Sequence, residues 1–134
     1  MKSTLTWKKD FQSEVTNGRG HSVSLDLPED KGGENNGTTA LELCVMSFNG
    51  CLSTIFAVMA QKMRLSYESL QIEMVAEQAG NAPTITDIHC EMYIKSQDDH
   101  AKIEDCIAKS IAHCPVGMIF SKAGITISHD VIFQ

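Results

Sequence analysis

Residues Ala40 to Lys62 read ALELCVMSFNGCLSTIFAVMAQK, and the fold turns on how this stretch behaves. Between Glu42 and Lys62 it carries no charge, and its apolar residues recur on more than one face, the pattern of a helix covered on several sides. The uncharged run Leu43 to Ala60 approaches the length of a membrane span. Ser47, Asn49, Gly50 and the Ser53-Thr54 pair interrupt it, which favours the central helix of a soluble domain with no membrane partner. Thr38 or Thr39 is the natural N-cap, and Glu42 suits a capping box with Thr39. The helix is expected to end between Met63 and Ser66. Cys51 sits in its middle, behind Gly50, where the backbone is open to close approach.

The totals set bounds around that helix. A chain of 134 residues is one ordinary domain, with 43% hydrophobic and 21% charged residues. The net charge is -6, and lysine and arginine are scattered with no basic block, so nucleic acid is not an expected partner. Met1 to Phe11 is polar and charged, without the apolar core of a secretory signal, which points to the cytoplasm. Five cysteines at wide spacings read as free thiols rather than a disulfide framework.

Upstream of the helix, residues 4 to 11 alternate as a strand, with Leu5, Trp7, Lys9 and Phe11 on one side. Thr16 to Gly20 is a turn, and Val23, Leu25 and Leu27 alternate after it, so the first forty residues read as a hairpin or small meander. Pro28 ends that strand, and Glu29 to Thr39 form an exposed loop. Downstream, Leu70 to Ala76 alternate with a mostly polar outer face and Ile88 to Ile94 alternate more strictly, on either side of the turn Gly80-Asn81-Ala82-Pro83, an antiparallel pair. Ser96 to Asp99 supply an N-cap for a second helix with Ile103, Cys106, Ile107 and Ile111 inward. Pro115 interrupts it after Cys114. Val116 to Lys122 read as a short further helix, and Ile125 to Gln134 as a last strand.

The resulting class is α+β, a single domain over residues 1–134: N-terminal strands and loop in 1–39, then helix, two strands, helix and strand in 40–134. A first helix this apolar needs more cover than one small sheet provides. An intertwined homodimer is the natural source of it.

Two thiols stand at special positions: Cys51 beside Gly50, and Cys114 at a helix end beside Pro115. Peroxide reduction by a thiol needs a nearby positive group or helix terminus, access for the oxidant and a second thiol to trap the sulfenic acid. The bland alternative is a buried small hydrophobe, which is the reading for Cys44, Cys90 and Cys106. A metal site is not expected. His21, His89, His100, His113 and His129 form no chelating pair with one another or with the cysteines, and neighbouring residues such as His89 and Cys90 point to opposite faces of a strand. His113 fits a helix C-terminus, where its charge is favourable.

Three blocks together resemble the OsmC/Ohr superfamily, the osmotically inducible and organic-hydroperoxide-resistance proteins. Asp26-Leu27-Pro28 with Gly32-Gly33-Glu34-Asn35-Asn36-Gly37 is similar to the family's strand-and-loop segment. Leu41-Glu42-Leu43 followed by Gly50-Cys51 resembles its first catalytic block, and His113-Cys114-Pro115-Val116 its second. Thr39-Ala40 stands where a proline is common and His113 where a tyrosine is frequent, which puts the chain nearer the OsmC-like branches than the well-defined peroxidases.

The resemblance implies an OsmC-like fold: a buried central helix packed with an antiparallel sheet, a second helix carrying the second cysteine, and an intertwined homodimer. It implies that Cys51 is the peroxidatic thiol and Cys114 the resolving one, with Glu42 holding an arginine that steadies the thiolate. Arg19 is the only arginine in the N-terminal region, and its two readings are that gate residue and a solvated turn. The implied substrate is an organic hydroperoxide or hydrogen peroxide, reduced without cofactor or metal, with a thioredoxin-like or lipoyl dithiol as reductant. Phe48, Leu52, Ile55 and Met118 are candidates to line an apolar pocket. The alternative is a non-enzymatic OsmC-like homodimer that binds a small apolar ligand or senses redox state.

Overall fold

The central helix begins where the sequence signals it. In the computed structural model, which describes residues 1–134, α1 spans Ala40–Met63. The Thr39 backbone N–H donates to Glu42 Oε2 at 2.7 Å, and the Glu42 N–H donates to Thr39 Oγ1 at 3.2 Å, a complete capping box. At the other end Arg64 takes a left-handed conformation with φ 57°. The Arg64 N–H donates to the Gln61 carbonyl and the Leu65 N–H to the Ala60 carbonyl, so two otherwise orphaned carbonyls are satisfied as the chain leaves the helix.

The chain forms two compact units, Met1–Cys44 and Val45–Gln134, and the boundary falls early in α1. The first unit is a meander of β1 (Thr4–Lys9), β2 (Gln12–Thr16) and β3 (Ser22–Leu25), all antiparallel neighbours. Its first turn is the tight pair Asp10-Phe11, made by Asp10 at φ 43° with the Trp7 indole N–H donating to the Asp10 carbonyl. The expected single strand over residues 4 to 11 is therefore shorter, and β2 follows at once. The loop after β3 is organised by Asp26, whose carboxylate accepts the backbone N–H groups of Leu27, Glu34 and Asn36. Those bonds hold its carboxyl below the ordinary carboxylate range. Gly33 is required there: a Cβ would lie 1.9 Å from the Leu27 carbonyl oxygen.

The second unit carries β4 (Ser69–Glu77), β5 (Asp87–Lys95), α2 (His100–His113), α3 (Pro115–Lys122) and β6 (Thr126–Phe133). The sheet order is β4-β5-β6. The β4-β5 pair is antiparallel, as its alternation predicts, but β6 runs parallel to β5. The helical crossover α2-α3 returns the chain in the same direction, so the sheet is mixed rather than purely antiparallel. Register aligns Met74, Cys90 and His129 across the three strands, and Ile72, Met92 and Val131 beside them. One face of the sheet therefore meets the helices. Phe48, Leu52, Phe56 and Ala60 of α1 join Ile88, Cys90, Met92 and Ile94 of β5 and Ile103, Cys106 and Ile107 of α2 in one buried core.

Within this chain α1 buries a single stripe, not several faces. The buried residues recur every fourth position from Phe48 to Ala60, while Leu41, Met46 and Val58 are exposed. One sheet covers one side of a helix, and Leu41 and Val58 lie outside the stripe it covers. By length and composition α1 would also cross a membrane, yet its inward stripe is seated in the core of a folded domain.

Candidate functional site

The second unit brings Cys51 and Cys114 together. Cys51 is half-buried on α1 and packs against the core, in which Cys114 is fully buried. The two thiols are near enough for Cys51 to influence the ionisation of Cys114. Cys114 owes its position to Pro115. The proline lacks an N–H and opens α3 at its first position, so Cys114 stands extended between two helices, with φ −73° and ψ 114°. It closes α2 through its N–H to the Ile111 carbonyl at 3.3 Å and caps α3 by accepting the Gly117 N–H on Sγ at 3.4 Å.

Gly117 is part of that arrangement. A Cβ there would lie 2.9 Å from the Phe48 ring and 3.4 Å from Cys114 Cβ, so only glycine lets α3 settle on Phe48. Phe48 in turn packs on Phe120 with ring centroids 5.5 Å apart. Burial raises the Cys114 thiol above its ordinary value and the adjoining Cys51 adds to that, while the Gly117 N–H pulls the other way. A thiol so placed is a slow free nucleophile. It is well placed to meet a sulfenic acid formed on the sulfur beside it.

The first unit holds Glu42 and Arg19. Glu42 is engaged in the capping box and also accepts the Thr38 hydroxyl at 3.1 Å, and these bonds lower its pKa, the Thr39 N–H first among them. Arg19 is exposed in the turn, where its backbone N–H donates to Asn17 Oδ1 at 2.8 Å. The expected Glu42–Arg19 ion pair is not formed within the chain. The glutamate's oxygens already serve the helix start, and the Asn17 loop fixes the arginine's backbone in a solvated turn.

Of the residues expected to line an apolar pocket, Phe48 and Leu52 are fully buried core, Ile55 is half-buried and Met118 is exposed on α3. His113 takes the helix-end role anticipated for it, with Nδ1 2.8 Å from the Lys109 carbonyl oxygen. A cavity of about 230 Å³ lies over β4-β5-β6 beside Val75, His89 and Ser128, and none of the thiols lines it. No cluster of three or more metal-ligating side chains is present.

Sequence reasoning missed one residue of this site, Gly117, whose only signal was that it follows Pro115 closely. Cys90 is the buried core residue that the sequence suggested.

No curated protein matches the chain. Among solved structures, an OsmC-like protein from Mycoplasma pneumoniae superposes with a TM-score of 0.87 at 15% identity, covering 98% of this chain and 95% of that one. An organic hydroperoxide resistance protein OsmC from Legionella pneumophila gives 0.73 at 15% identity, covering 98% and 97%. An organic hydroperoxide resistance protein from Elizabethkingia anophelis gives 0.76 at 14%, covering 98% and 94%. These likenesses establish the fold. The family model described as OsmC-like protein matches residues 33–130, most of the chain and both cysteine blocks, and the chain therefore belongs to the OsmC-like family.

Proposed function

We propose that the protein is a thiol-dependent peroxidase that reduces organic hydroperoxides or hydrogen peroxide. The supporting observation is the meeting of Cys51 and Cys114, far apart in sequence, as adjoining thiols in the core of the second unit. The Cys51 thiolate attacks the distal peroxide oxygen, the O–O bond breaks, and an alcohol or water leaves with a proton while Cys51 becomes a sulfenic acid. The Cys114 sulfur then displaces that hydroxyl as water, forming a Cys51–Cys114 disulfide. A thioredoxin-like or lipoyl dithiol supplies the two electrons and two protons that restore both thiols.

Glu42 and Arg19 enter this proposal as the pair that steadies the Cys51 thiolate, the arginine drawn to the site from its solvated turn and held by the glutamate. A second copy of the chain enters as cover for α1. An 18-residue window of that helix suited to a membrane is only 22% buried, and Met46 is 57% exposed on it. A soluble, cytoplasmic homodimer would enclose such a surface.

The second reading, a non-enzymatic homodimer that binds a small apolar ligand or senses redox state, is favoured by the exposure of Arg19. Turnover of cumene hydroperoxide with a dithiol reductant decides between them. C51S is expected to lose turnover entirely, and C114S to stall after one cycle with Cys51 overoxidised. Equal multiple-turnover activity in both variants would contradict the two-thiol mechanism.

A further inference from the structure

The face of the β4-β5-β6 sheet turned away from the core carries polar side chains that the thiol chemistry does not use. His89 on β5 stands directly beside Ser128 on β6, and Asp130 follows two residues along on the same face. The imidazole lies between them: its Nδ1 is 2.9 Å from Ser128 Oγ, and its Nε2 is 3.4 Å from Asp130 Oδ2. An ionised carboxylate only accepts, so Nε2 carries the hydrogen facing Asp130 and Nδ1 is left to accept the Ser128 hydroxyl. Glu91, opposite Asp130 in the register, accepts the Tyr93 hydroxyl at 2.6 Å instead.

Hydroxyl, base and carboxylate thus stand in a row, and Ser128 and His89 both border the cavity of about 230 Å³. Val75 and Ile88 give that cavity apolar wall. Glu77 and Asp87, directly opposite each other across β4 and β5, give it two carboxylates.

We propose that this row is a second site, independent of the thiols, in which Ser128 is the nucleophile and His89 the general base for cleavage of a small uncharged or cationic carboxylic ester. Ser128 Oγ attacks the carbonyl carbon while His89 Nδ1 takes the hydroxyl proton, and the carbonyl π electrons move onto oxygen. That electron pair then returns, the bond to the alkoxy oxygen breaks, and the alcohol leaves with the proton held by His89. Water, giving a proton to the same ring nitrogen, attacks the acyl group, frees the acid and restores Ser128. Asp130 is a positioning residue, which fixes the tautomer and steadies the imidazolium. The cavity is smaller than those that take drug-sized ligands, which limits the substrate to a short ester, and Glu77 and Asp87 disfavour an anionic one. The His89 side chain is 40% exposed and that of Asp130 72%, so water screens the pair and the site is a modest catalyst.

The whole protein is tested with a fluorophosphonate, which labels activated serines and spares thiols, and then with p-nitrophenyl acetate after iodoacetamide has blocked the accessible cysteines. Peptide mapping is expected to place the phosphonyl adduct on Ser128. Hydrolysis is expected to fall about 100-fold in S128A and in H89Q, and about tenfold in D130N. The anionic ester p-nitrophenyl succinate is expected to react more slowly than the acetate. An adduct on another residue, or none on the native protein, overturns the inference whatever the stability of the variants. Hydrolysis unchanged in S128A, with its urea midpoint also unchanged, overturns it too, and equal rates for the two esters overturn the cavity as the place of binding. The labelling needs neither Cys51 nor peroxide, so its result stands apart from the peroxidase reading.

Discussion

At the scale of single residues, three local facts converge on Cys114, the proposed resolving thiol: the break made by Pro115, the N–H of Gly117 and the adjoining Cys51. Burial, its largest influence, raises its pKa above the ordinary 9.0, so the thiol is almost wholly protonated at neutral pH. Since the thiolate is the attacking form, disulfide closure after peroxide, followed by stopped-flow, is expected to speed up about tenfold from pH 7 to 8 and to keep rising above it. A plateau below pH 8 would show that Cys114 reacts as an already ionised thiol. Cys51 and Cys114 were legible in the sequence because glycine and proline mark their backbone settings. Gly117 was not, because its importance comes from Phe48, which reaches it only through tertiary packing.

At the scale of elements, helices were the most readable parts. Thr39 and Glu42 announce the start of α1, and Asp99, accepting the Lys102 N–H at 3.2 Å, announces that of α2. The turn Asp10-Phe11 was hidden because it lacks glycine, and the direction of β6 because a strand's alternation is the same in either orientation. The capping box also separates two roles of Glu42. Glutamine can cap as glutamate does, but it cannot pair with an arginine's charge. E42Q is therefore expected to stay within about 0.5 kcal/mol of the native stability while peroxidase turnover falls, whereas E42A loses about 1 kcal/mol by urea unfolding. Full turnover in E42Q would confine Glu42 to capping. The folded-state pKa of Glu42 is lowered, so its contribution is complete above its ordinary value of 4.5 and is lost as the pH falls through the lower folded value.

At the scale of the whole molecule, the feature that calls for a partner is apolar surface left open on several elements. Trp7 is 66% exposed on β1 and Ile119 67% on α3, and α1 keeps Met46 and Val58 outward. The sequence already implied a helix with more apolar faces than one sheet covers, and the fully buried residues of α1 form one stripe. Sedimentation equilibrium is expected to return twice the chain mass of 14.7 kDa, and M46K to shift the population toward monomer. A native protein that sediments as a monomer would remove the homodimer from the account.

Cys51 and Cys114 are proposed to form one peroxide-reducing couple. Its most direct test is the mass of the purified protein after one equivalent of cumene hydroperoxide, with non-reducing peptide mapping and a dithiothreitol control. The account predicts a loss of about two mass units, the two hydrogens given up when a disulfide forms, mapped to a Cys51–Cys114 link and reversed by the reductant. An unchanged mass, with Cys51 also slow toward an alkylating probe, would contradict it and leave the fold serving something other than peroxide chemistry.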